Sequence, residues 1–592
     1  MSAARGDVLG YQGVVRPGAA IAPGAPDIDV PPDVGASPDI GVSSVRAGAD
    51  VRLALRPDAT LSTLRDLDPC LRYGVLPWQR AENGLVIAAS GAAPGRAAWL
   101  RARFGNELHI VAISRPRLMR AIEARFQTRL SRNAVHALAR ATPALSARRV
   151  VTRGQAFVFI AALATICCGF ALWPRPTIGF LAGLLTLLFI ANIAFRLALV
   201  LIGAEEPRRF ARTPINRDDL PLYTVLVPLY REANMLAPLV HALRRLAYPP
   251  EKLDIKLVIE ADDHGTLRAA MAQELPPWFE IVRVPPSHPR TKPKACNYAL
   301  AFARGEFTVI FDAEDRPEPD QLARAAAAFR ALPPDYGCLQ ARLNFYNRDQ
   351  NWLTRLFALD YALWFDYLLP GLDRLGVPLP LGGTSNHFRT AHLRAIHGWD
   401  PFNVTEDADI GIRMARLGLK VATFESTTFE EAASTLRAWF QQRSRWLKGY
   451  MQTWLVHMRN PLALYRHGGL RGFIAFQLFI AGTFLSALSN LVLWCAFGLS
   501  FFVPLQIFDG ALGLTLTHLS SASLIAGNAG FIYLAMLGPY RRGWLELVPF
   551  ALLAPVYWLL VSAAAYHGLA QLLTRPFYWA KTPHGFGRCT PS

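Results

Sequence analysis

The chain has 592 residues, of which 52% are hydrophobic and 18% are charged, and its formal net charge is +18. This balance is too apolar for a soluble protein and too polar for a chain made mostly of bilayer helices, so it predicts soluble and membrane parts together. Because the basic residues cluster beside apolar segments instead of forming one stripe with interleaved aromatics, anionic lipid headgroups are favoured over nucleic acid as partners.

Residues 1–48 are rich in Pro, Gly, Ala and Asp, which is typical of a disordered tail. They include no apolar core, so no cleavable signal peptide is expected and insertion into a membrane depends on internal segments. The seven cysteines show no CxxC pair and no framework spacing. They indicate neither a zinc site nor a disulfide scaffold.

Residues 49–147 predict a small α+β domain. Two apolar runs flank Asn83 and Gly84, a pair that is a strong hairpin signal. Three further elements follow: a helix over 96–104, a strand over 108–113, and a helix from Ser114 toward Phe126. This order weakly resembles part of the N-terminal domain of type II secretion ATPases, which in some relatives binds cyclic di-GMP. The paired nucleotide-binding repeats of those domains are not found here, so a docking or regulatory module is favoured.

Residues 148–212 predict a transmembrane hairpin. The apolar runs 155–173 and 177–203 each approach the roughly 20 residues needed to cross the hydrocarbon core. Arginines flank both ends, which predicts that the flanks are cytoplasmic. Arg196, near the inner end of the second run, is expected to snorkel to the interface without a functional role.

Residues 213–460 alternate short β-branched runs with helical stretches, which predicts an α/β nucleotide-binding domain. Residues 461–540 then supply two more spans, over 473–502 and 512–537. The run 545–573 is long enough to span but is followed by basic residues. It is therefore interpreted as an interfacial or re-entrant helix within 541–592, which leaves four spans.

Acidic residues follow the predicted strands of this α/β domain, where ligands bind in open sheets. Glu260 and Asp262 end one strand, and Asp312, Glu314 and Asp315 end another. Mg²⁺ or Mn²⁺ prefers oxygen ligands and usually shares them with substrate phosphates, so these acids are candidate metal ligands. The alternative is an acidic, solvated turn.

Two further motifs add charge near these acids. Lys292 and Lys294 precede the strand that ends at Asp312, where they suit phosphate oxygens or salt bridges. Glu406 and Asp407 begin a helix whose dipole favours an ionised carboxylate, and such a group can act as a general base on a sugar hydroxyl.

A helix further along the chain carries Gln442, Arg445 and Trp446 at adjacent positions, which provides a cation for a diphosphate and an indole for a sugar face. An amphipathic helix lying on the membrane is the alternative interpretation of this helix.

In this order the four motifs resemble the family 2 glycosyltransferases, in particular processive synthases of the cellulose, chitin and hyaluronan type. The resemblance implies a GT-A type nucleotide-sugar-binding domain inserted between transmembrane helices. It implies that Asp407, beside Glu406, is the base. It implies a metal site formed by Asp312, Glu314 and Asp315. The residues implied to contact the donor are Glu260, Asp262, Lys294, Asp312, Gln442, Arg445 and Trp446. The commonest form reads Asp-x-Asp, whereas this sequence reads Asp-Ala-Glu-Asp, so both later acids remain candidates.

Two other segments fit the same comparison. The stretch containing Thr384 and Asn386 resembles the loop beside the acceptor. The stretch containing Trp579, Lys581 and Thr582 resembles the gating loop that closes over the bound nucleotide.

The sequence thus predicts an inverting glycosyltransferase of the cytoplasmic membrane, with its N-terminus and catalytic domain in the cytoplasm. A UDP-sugar is the expected donor, with UDP-glucose as the default, and a growing β-linked polysaccharide is the expected acceptor. The hypothesis includes coupling of synthesis to export, and either cyclic di-GMP or an export protein as a partner. The alternatives are a non-processive enzyme acting on a lipid or lipid carrier, and a signalling scaffold whose transferase module has decayed.

Overall fold

The computed structural model describes residues 53–205, 215–499, 501–502, 511–579 and 585. The predicted disordered tail over 1–48 lies outside these residues. The described chain forms a small N-terminal α+β unit, a larger α/β unit, and long apolar helices that come before and after the larger unit.

The N-terminal unit contains a three-stranded sheet covered by helices. Its elements are α1 (Leu67–Tyr73), β1 (Val75–Ala81), β2 (Gly84–Ala89), α2 (Arg96–Phe104), β3 (Leu108–Ala112) and α3 (Arg115–Ala141). Strands β1 and β2 are antiparallel and β3 runs parallel to β2. Gly84 has φ of 136°, which only glycine adopts readily, and it lies at the predicted turn. The predicted hairpin, helix and strand are confirmed.

Helix α3 is longer than the sequence pattern predicted. It begins after Ser114, with proline in its first turn, but continues to Ala141. Its second half buries Leu130, Ala134 and Leu138. That half packs against the larger unit, and so its length depends on a tertiary contact that the local pattern did not indicate.

Two long apolar helices follow, α4 (Arg153–Leu172) and α5 (Pro174–Ala204). Helix α4 exposes large apolar side chains all around it, including Phe157 at 73% exposure. A helix with no buried face and this composition is suited to lipid and not to water.

The larger unit is built on one eight-stranded mixed sheet with the order β6-β5-β4-β7-β10-β9-β11-β8. Its strands are β4 (Tyr223–Leu229), β5 (Leu253–Glu260), β6 (Phe279–Val284), β7 (Phe307–Ile310), β8 (Arg316–Pro317), β9 (Tyr336–Phe345), β10 (Asn386–Arg389) and β11 (Lys420–Glu430). Its helices are α6 (Leu236–Arg244), α7 (His264–Met271), α8 (Lys292–Leu300), α9 (Gln321–Ala331), α10 (Trp352–Leu363), α11 (Leu369–Leu375), α12 (Thr390–Ala395), α13 (Glu406–Arg416) and α14 (Leu436–His457).

The first half of this sheet is parallel and fully covered. Strands β6, β5, β4 and β7 run in one direction, and every residue of β5 is buried. Fully buried strands are typical of parallel sheets with helices on both faces, and the charged Asp254 and Lys256 within β5 pair with each other at 2.9 Å. The carboxyl ends of β4, β5 and β7 therefore lie at one edge, as predicted for the acidic residues that follow them.

The remaining helices are α15 (Pro461–Phe476), α16 (Gly482–Leu499), α17 (Ala511–Arg542) and α18 (Ala554–Thr574). A π-helix over Gln477–Ala481 joins α15 to α16, and a 3₁₀ segment over Leu545–Leu553 precedes α18. By length and composition the described residues contain five candidate membrane spans, the last of which is Leu545–Thr574. The four-span count therefore stays a prediction.

Candidate active site

One cavity of about 250 Å³ lies where the carboxyl edge of the sheet meets α13, α14 and the apolar helices. Loops after β4, β5 and β7 form one side, and α13 and α14 form another. Residues of α5, α16 and α18 line its far end. Motifs that are distant in sequence therefore share one enclosed space.

The loop after β7 places two carboxylates in this cavity. Asp312 and Glu314 line it, and Lys292 Nζ lies 2.5 Å from Asp312 Oδ1. Glu430, at the end of β11, lines the same region. Burial, together with the neighbouring carboxylates, raises the pKa of Glu314 and of Glu430 well above the ordinary value. The carboxylates therefore lie close together in a buried place, where a bound cation would stabilise their ionised forms.

Asp315 lies beneath this cluster and is 1% exposed. Its Oδ2 accepts hydrogen bonds from the Asp312 amide, at 2.7 Å, and from the Thr384 hydroxyl. Its Oδ1 is buried and has no hydrogen-bond partner among the described residues. Asp315 therefore braces the loop that carries Asp312.

The residues present fit a divalent cation. Asp312 and Glu314 offer hard oxygen ligands on the cavity wall. Burial and neighbouring acids raise the pKa of Glu314, and a bound cation would favour its ionised form. Within the described part of the chain, no group of three or more candidate ligands is arranged around a single point. Mg²⁺ is typically bound by one or two carboxylates, and substrate phosphate oxygens complete its coordination shell.

Glu406 and Asp407 begin α13, and both line the cavity. The Ala408 amide donates a 2.7 Å hydrogen bond to Asp407 Oδ1. Burial raises the pKa of Glu406 to about 7, with the charge of Asp407 adding to the effect. Burial also raises the pKa of Asp407, against the opposing influence of its amide bond, Lys292 and Arg445. An ionised carboxylate with a raised pKa is suited to general base catalysis.

Helix α14 places three predicted residues, Gln442, Arg445 and Trp446, on the cavity wall. Burial lowers the pKa of Arg445, while Glu406, Asp407 and Asp312 raise it, so its guanidinium lies within reach of both acidic motifs. The guanidinium also lies over the ring of Trp579, 5.6 Å from its centroid. Arg445 thus connects the acids with the C-terminal segment, and Trp579 is on the cavity wall.

Lys292 occupies the centre of the charged wall. Besides its contact with Asp312, its Nζ donates a 2.6 Å hydrogen bond to the Gly383 carbonyl. Burial lowers its pKa, but Asp312 and Glu406 raise it by more, so the lysine is held as a cation. Lys292 therefore joins the loop after β7, the Gly382-Gly383 turn and α13.

Several predicted residues lie near the cavity without lining it. Lys294 is fully buried, and its Nζ lies 2.6 Å from Glu260 Oε1, while Asp262 pairs with Arg290 at 2.6 Å. Thr384 donates to the Ile310 carbonyl at 3.0 Å, and the Asn386 side chain donates to the Gly382 carbonyl at 2.7 Å. Of the predicted residues in this group, Glu260 reaches the cavity wall, as does Arg290, the partner of Asp262. Lys581 and Thr582 lie outside the described residues.

The expectation that Arg196 snorkels to the interface is wrong. Arg196 is 5% exposed and lines the cavity from α5. Its Nε donates to Asn192 Oδ1 at 3.1 Å, and its Nη2 donates to Thr483 Oγ1 at 3.0 Å. Because Asn192 and Thr483 hold it between helices, the side chain does not extend along α5 to water.

Sequence reasoning also missed a cluster next to Trp446. Arg443 pairs with Asp360 of α10, donates a 2.7 Å hydrogen bond to the Tyr557 hydroxyl of α18, and lies 4.8 Å from the Trp446 ring centroid. Asp360, Arg443 and Tyr557 all line the cavity. The only sequence signal was the position of Arg443 three residues before Trp446, because Asp360 is 83 residues away.

The comparisons define the class of protein. Residues 307–509 match the family model described as glycosyl transferase family group 2. The chain is 22% identical over 371 residues to the probable glycosyltransferase YdaM of Bacillus subtilis, a match that covers 58% of this chain and 84% of that protein. It is 24% identical over 286 residues to the beta-monoglucosyldiacylglycerol synthase of Trichormus variabilis, covering 46% of this chain and 59% of the relative.

Two further relatives extend the comparison. The probable glucomannan 4-beta-mannosyltransferase 1 of Arabidopsis thaliana is 25% identical over 244 residues, covering 40% of this chain and 44% of that protein. A solved mannosyltransferase, PcManGT from Pyrobaculum calidifontis in complex with GDP-Man and Mn²⁺, is similar with a TM-score of 0.42 and 22% identity, covering 66% of this chain and 99% of that one. The Trichormus and Arabidopsis relatives are each spanned over less than two thirds of their length.

The site and fold describe an α/β enzyme with a nucleotide-sugar-type domain flanked by apolar helices. Over residues 307–509 this enzyme is similar to the family 2 glycosyltransferases. The predicted GT-A type fold class is confirmed, and the five apolar helices indicate a membrane-associated protein.

Proposed function

We propose that this enzyme transfers a sugar, with inversion, from a nucleoside diphosphate donor to an acceptor hydroxyl that is activated by Asp407. The observation that carries this proposal is the single cavity that brings Asp407, Asp312 and Arg445 together. A base, a metal-binding acid and a diphosphate-binding cation in one enclosed site form a set suited to glycosyl transfer.

In the proposed reaction, Asp407 takes the proton of the acceptor hydroxyl. The acceptor oxygen then bonds to the anomeric carbon, the bond from that carbon to the diphosphate oxygen breaks, and its electron pair leaves with the diphosphate. A single displacement of this kind converts an α-linked donor into a β-linked product. Glu406 stays beside the base, and the charge of Asp407 helps to raise the pKa of Glu406.

Arg445 and Lys292 are the proposed cationic partners of the leaving diphosphate. Both are held in the site before substrate arrives, and so they would stabilise the developing charge without reorganisation. A Mg²⁺ or Mn²⁺ ion bound by Asp312 and Glu314, with Asp315 supporting their loop, would supply additional positive charge to the same diphosphate. Glu260 and Asp262, steadied by Lys294 and Arg290, are proposed to form the nucleoside end of the site.

The acceptor is proposed to enter from the opposite, aromatic side. Trp446 stacks with Tyr361 at 6.0 Å between ring centroids, and both line the cavity with Trp364. Aromatic faces of this kind suit sugar rings, which supports a growing β-linked saccharide as the acceptor and processive extension coupled to export. Gly383 lies on the same wall, and a Cβ at this position would come within 3.3 Å of Asp407 Oδ2, so the glycine leaves room for the acceptor beside the base.

A lipid or lipid-carrier acceptor is the second candidate. The cavity continues to Arg196, so its far end lies among the apolar helices. The Trichormus relative, named a beta-monoglucosyldiacylglycerol synthase, supports this candidate, and the Arabidopsis glucomannan enzyme supports the saccharide.

The proposed organisation is the one derived from the sequence: a tail over 1–48, a regulatory or docking domain over 49–147, a hairpin over 148–212, the catalytic domain over 213–460, two spans over 461–540, and an interfacial segment with a gating tail over 541–592. We place the catalytic domain and N-terminus in the cytoplasm because of the flanking arginines.

The experiment that tests this function measures release of the nucleoside diphosphate by the purified, membrane-reconstituted protein. A panel of UDP-sugars and GDP-mannose is supplied with Mg²⁺ or Mn²⁺, and products are sized on the same samples. Metal-dependent turnover of one donor supports the proposal, and a long product selects the polysaccharide acceptor over the lipid. Absence of turnover with every donor, with and without cyclic di-GMP, would contradict it.

A further inference from the structure

Arg196 lies well inside the first pair of apolar helices. It is eight residues before the end of α5 at Ala204, which corresponds to about 12 Å along a helix with a 1.5 Å rise per residue. Apart from Asn192, its neighbours on α5 over residues 187–203 are apolar. A charged side chain at this depth is costly and, when present, usually faces a cavity with a functional role.

The guanidinium is held in a fixed orientation by neutral groups. Asn192, one turn earlier on α5, accepts from Nε, and Thr483 of α16 accepts from Nη2. Asn192 is itself fixed, because its amide donates a 2.6 Å hydrogen bond to the Leu478 carbonyl in the π-helix. A π-helix departs from the regular α-helical hydrogen-bond pattern, and such segments are frequent at functional sites.

Arg196 has no direct ion pair among the described residues, although Asp360, which is itself paired with Arg443, lies within electrostatic reach of it. Among the described residues, no carboxylate lies within 4.0 Å of its guanidinium. The group lies 5.9 Å from the ring centroid of Trp558, which offers a partial and uncharged contact. A buried cation without a directly paired counter-ion is expected to take an anion from its ligand.

The cavity connects this cation with the proposed base. Both Arg196 and Asp407 line it, with Tyr450 and Trp364 on the wall between the catalytic residues and the apolar helices. Burial raises the pKa of Tyr450, and Asp407 raises it while Arg196 lowers it, so Tyr450 lies within electrostatic reach of both groups. One extended ligand can therefore contact Arg196 and Asp407 together.

We propose that Arg196 binds the phosphate of a lipid-linked acceptor, whose sugar or headgroup hydroxyl extends along the aromatic wall to Asp407. This inference rests on the proposed glycosyl transfer and names the acceptor class for it. A phosphate at Arg196 compensates the buried charge, the lipid chains leave between the apolar helices, and the reacting hydroxyl reaches the base. A polyprenyl phosphate carrier and a phosphoglycerolipid headgroup supply the same anion.

The test measures lipid binding to the full-length protein in a polyoxyethylene detergent, which contains neither phosphate nor sugar. Polyprenyl phosphate, phosphatidylglycerol and neutral diacylglycerol are titrated separately by native mass spectrometry. Wild type is compared with Arg196→Gln, with Arg196→Lys, which keeps the charge, and with Arg471→Gln. Arg471 is an exposed arginine on α15 outside the cavity lining and serves as the matched control.

The expected result is that Arg196→Gln weakens binding of at least one phosphate lipid by about ten-fold or more, the loss typical of a charge-assisted hydrogen bond. Arg196→Lys is expected to retain most of the affinity, and Arg471→Gln all of it. The phosphate lipid that responds identifies the source. Diacylglycerol binding is expected to be unchanged.

The inference would be overturned if a folded Arg196→Gln protein bound the phosphate lipids with the same affinity as wild type. It would also be overturned if wild type bound diacylglycerol as tightly as it binds both phosphate lipids. Melting temperatures of all variants establish that they are folded. Donor turnover by wild type is measured in parallel. If turnover persists while the lipid result is negative, the acceptor assignment fails and the proposed function stands; loss of turnover with every donor contradicts the proposed function itself.

Discussion

The proposed base and its neighbours form a balanced set of buried charges. Asp407 and Glu406 are adjacent carboxylates at the start of α13, and Lys292 and Arg445 lie within electrostatic reach of both. Burial favours the protonated acids, while the two cations favour the ionised ones. The base therefore titrates higher than an ordinary carboxylate but can still be ionised near neutral pH.

The pH dependence of kcat/KM follows from this balance. Because Asp407 must be ionised to accept a proton, activity falls as pH drops through its raised pKa. The acidic limb is therefore expected above the ordinary carboxylate range. In Lys292→Gln, loss of a positive charge that lowers the pKa of Asp407 is expected to move the limb to higher pH.

The measurement is the pH profile of nucleoside diphosphate release by both proteins. Glu425→Gln, at an exposed position of β11, is the control and is expected to keep the wild-type limb. An acidic limb that is unchanged in Lys292→Gln would contradict the influence of this cation on the base.

Individual residues were predicted unevenly from the sequence, and the two lysines show why. The motif indicated cations beside the acids, but the structure places Lys292 on the cavity and Lys294 against Glu260. Two residues apart on α8, they point to different sides of the helix, and the motif alone does not say which side faces the site. The positions of Asp407, Arg445 and Trp446 on the cavity wall agree with their helical spacing, while their roles stay predictions.

Helix α14 organises the aromatic side of the site. Arg443 joins it to Asp360 of α10 and to Tyr557 of α18, and the guanidinium lies against Trp446. At the next turns, Lys448 donates to the Tyr578 carbonyl at 2.6 Å, and Gln452 donates to the Pro576 carbonyl at 2.9 Å. One helix thus positions both the stacking indole and the segment that carries Trp579.

Removing the carboxylate of Asp360 tests this arrangement. Asp360→Asn is expected to lower stability by about 1–3 kcal/mol, because Arg443 loses its only carboxylate partner among the described residues in a largely buried place. Transfer activity is expected to fall as well, since Trp446 loses its fixed support. The measurements are the melting temperature in detergent and the rate of diphosphate release.

Asp320→Asn provides the comparison for that variant. Asp320 pairs with Arg324 on the surface, where both side chains are nearly half exposed, and such pairs contribute little. Its melting temperature is expected to match wild type. A melting temperature of Asp360→Asn that equals that of Asp320→Asn would contradict the structural role of the buried pair.

Elements with strong local signals were predicted well, and those set by packing were not. The hairpin at Gly84 and helix α2 follow from turn chemistry and periodicity. The length of α3 depends on contacts with α8, including a 3.0 Å bond from the Asn297 side chain to the Ala134 carbonyl. The burial of Arg196 depends on Thr483, which is 287 residues away. Local patterns do not include such partners.

In the whole molecule, the N-terminal unit is attached to the elements that hold the site. Tyr298 of α8 donates a 3.0 Å hydrogen bond to Glu123 of α3, and Ser146 donates a 3.2 Å bond to Asp400, in the loop before α13. Helix α8 carries Lys292 and α13 carries Asp407. This arrangement is consistent with the predicted regulatory or docking role for residues 49–147, which stays a prediction.

The central claim is that Asp407 activates the acceptor in a site that is otherwise complete. It is tested most directly by comparing wild type with Asp407→Asn, measuring donor binding and diphosphate release on the same reconstituted samples. Asn keeps the size of the side chain and its contact with the Ala408 amide through oxygen, but it cannot accept the proton.

The predicted result is donor affinity within about two-fold of wild type with transfer reduced about 10²-fold or more, as expected when a general base is removed. Asp335→Asn, a surface acid paired with Lys420, is the control and is expected to retain full activity. Transfer by Asp407→Asn at the wild-type rate would contradict the account.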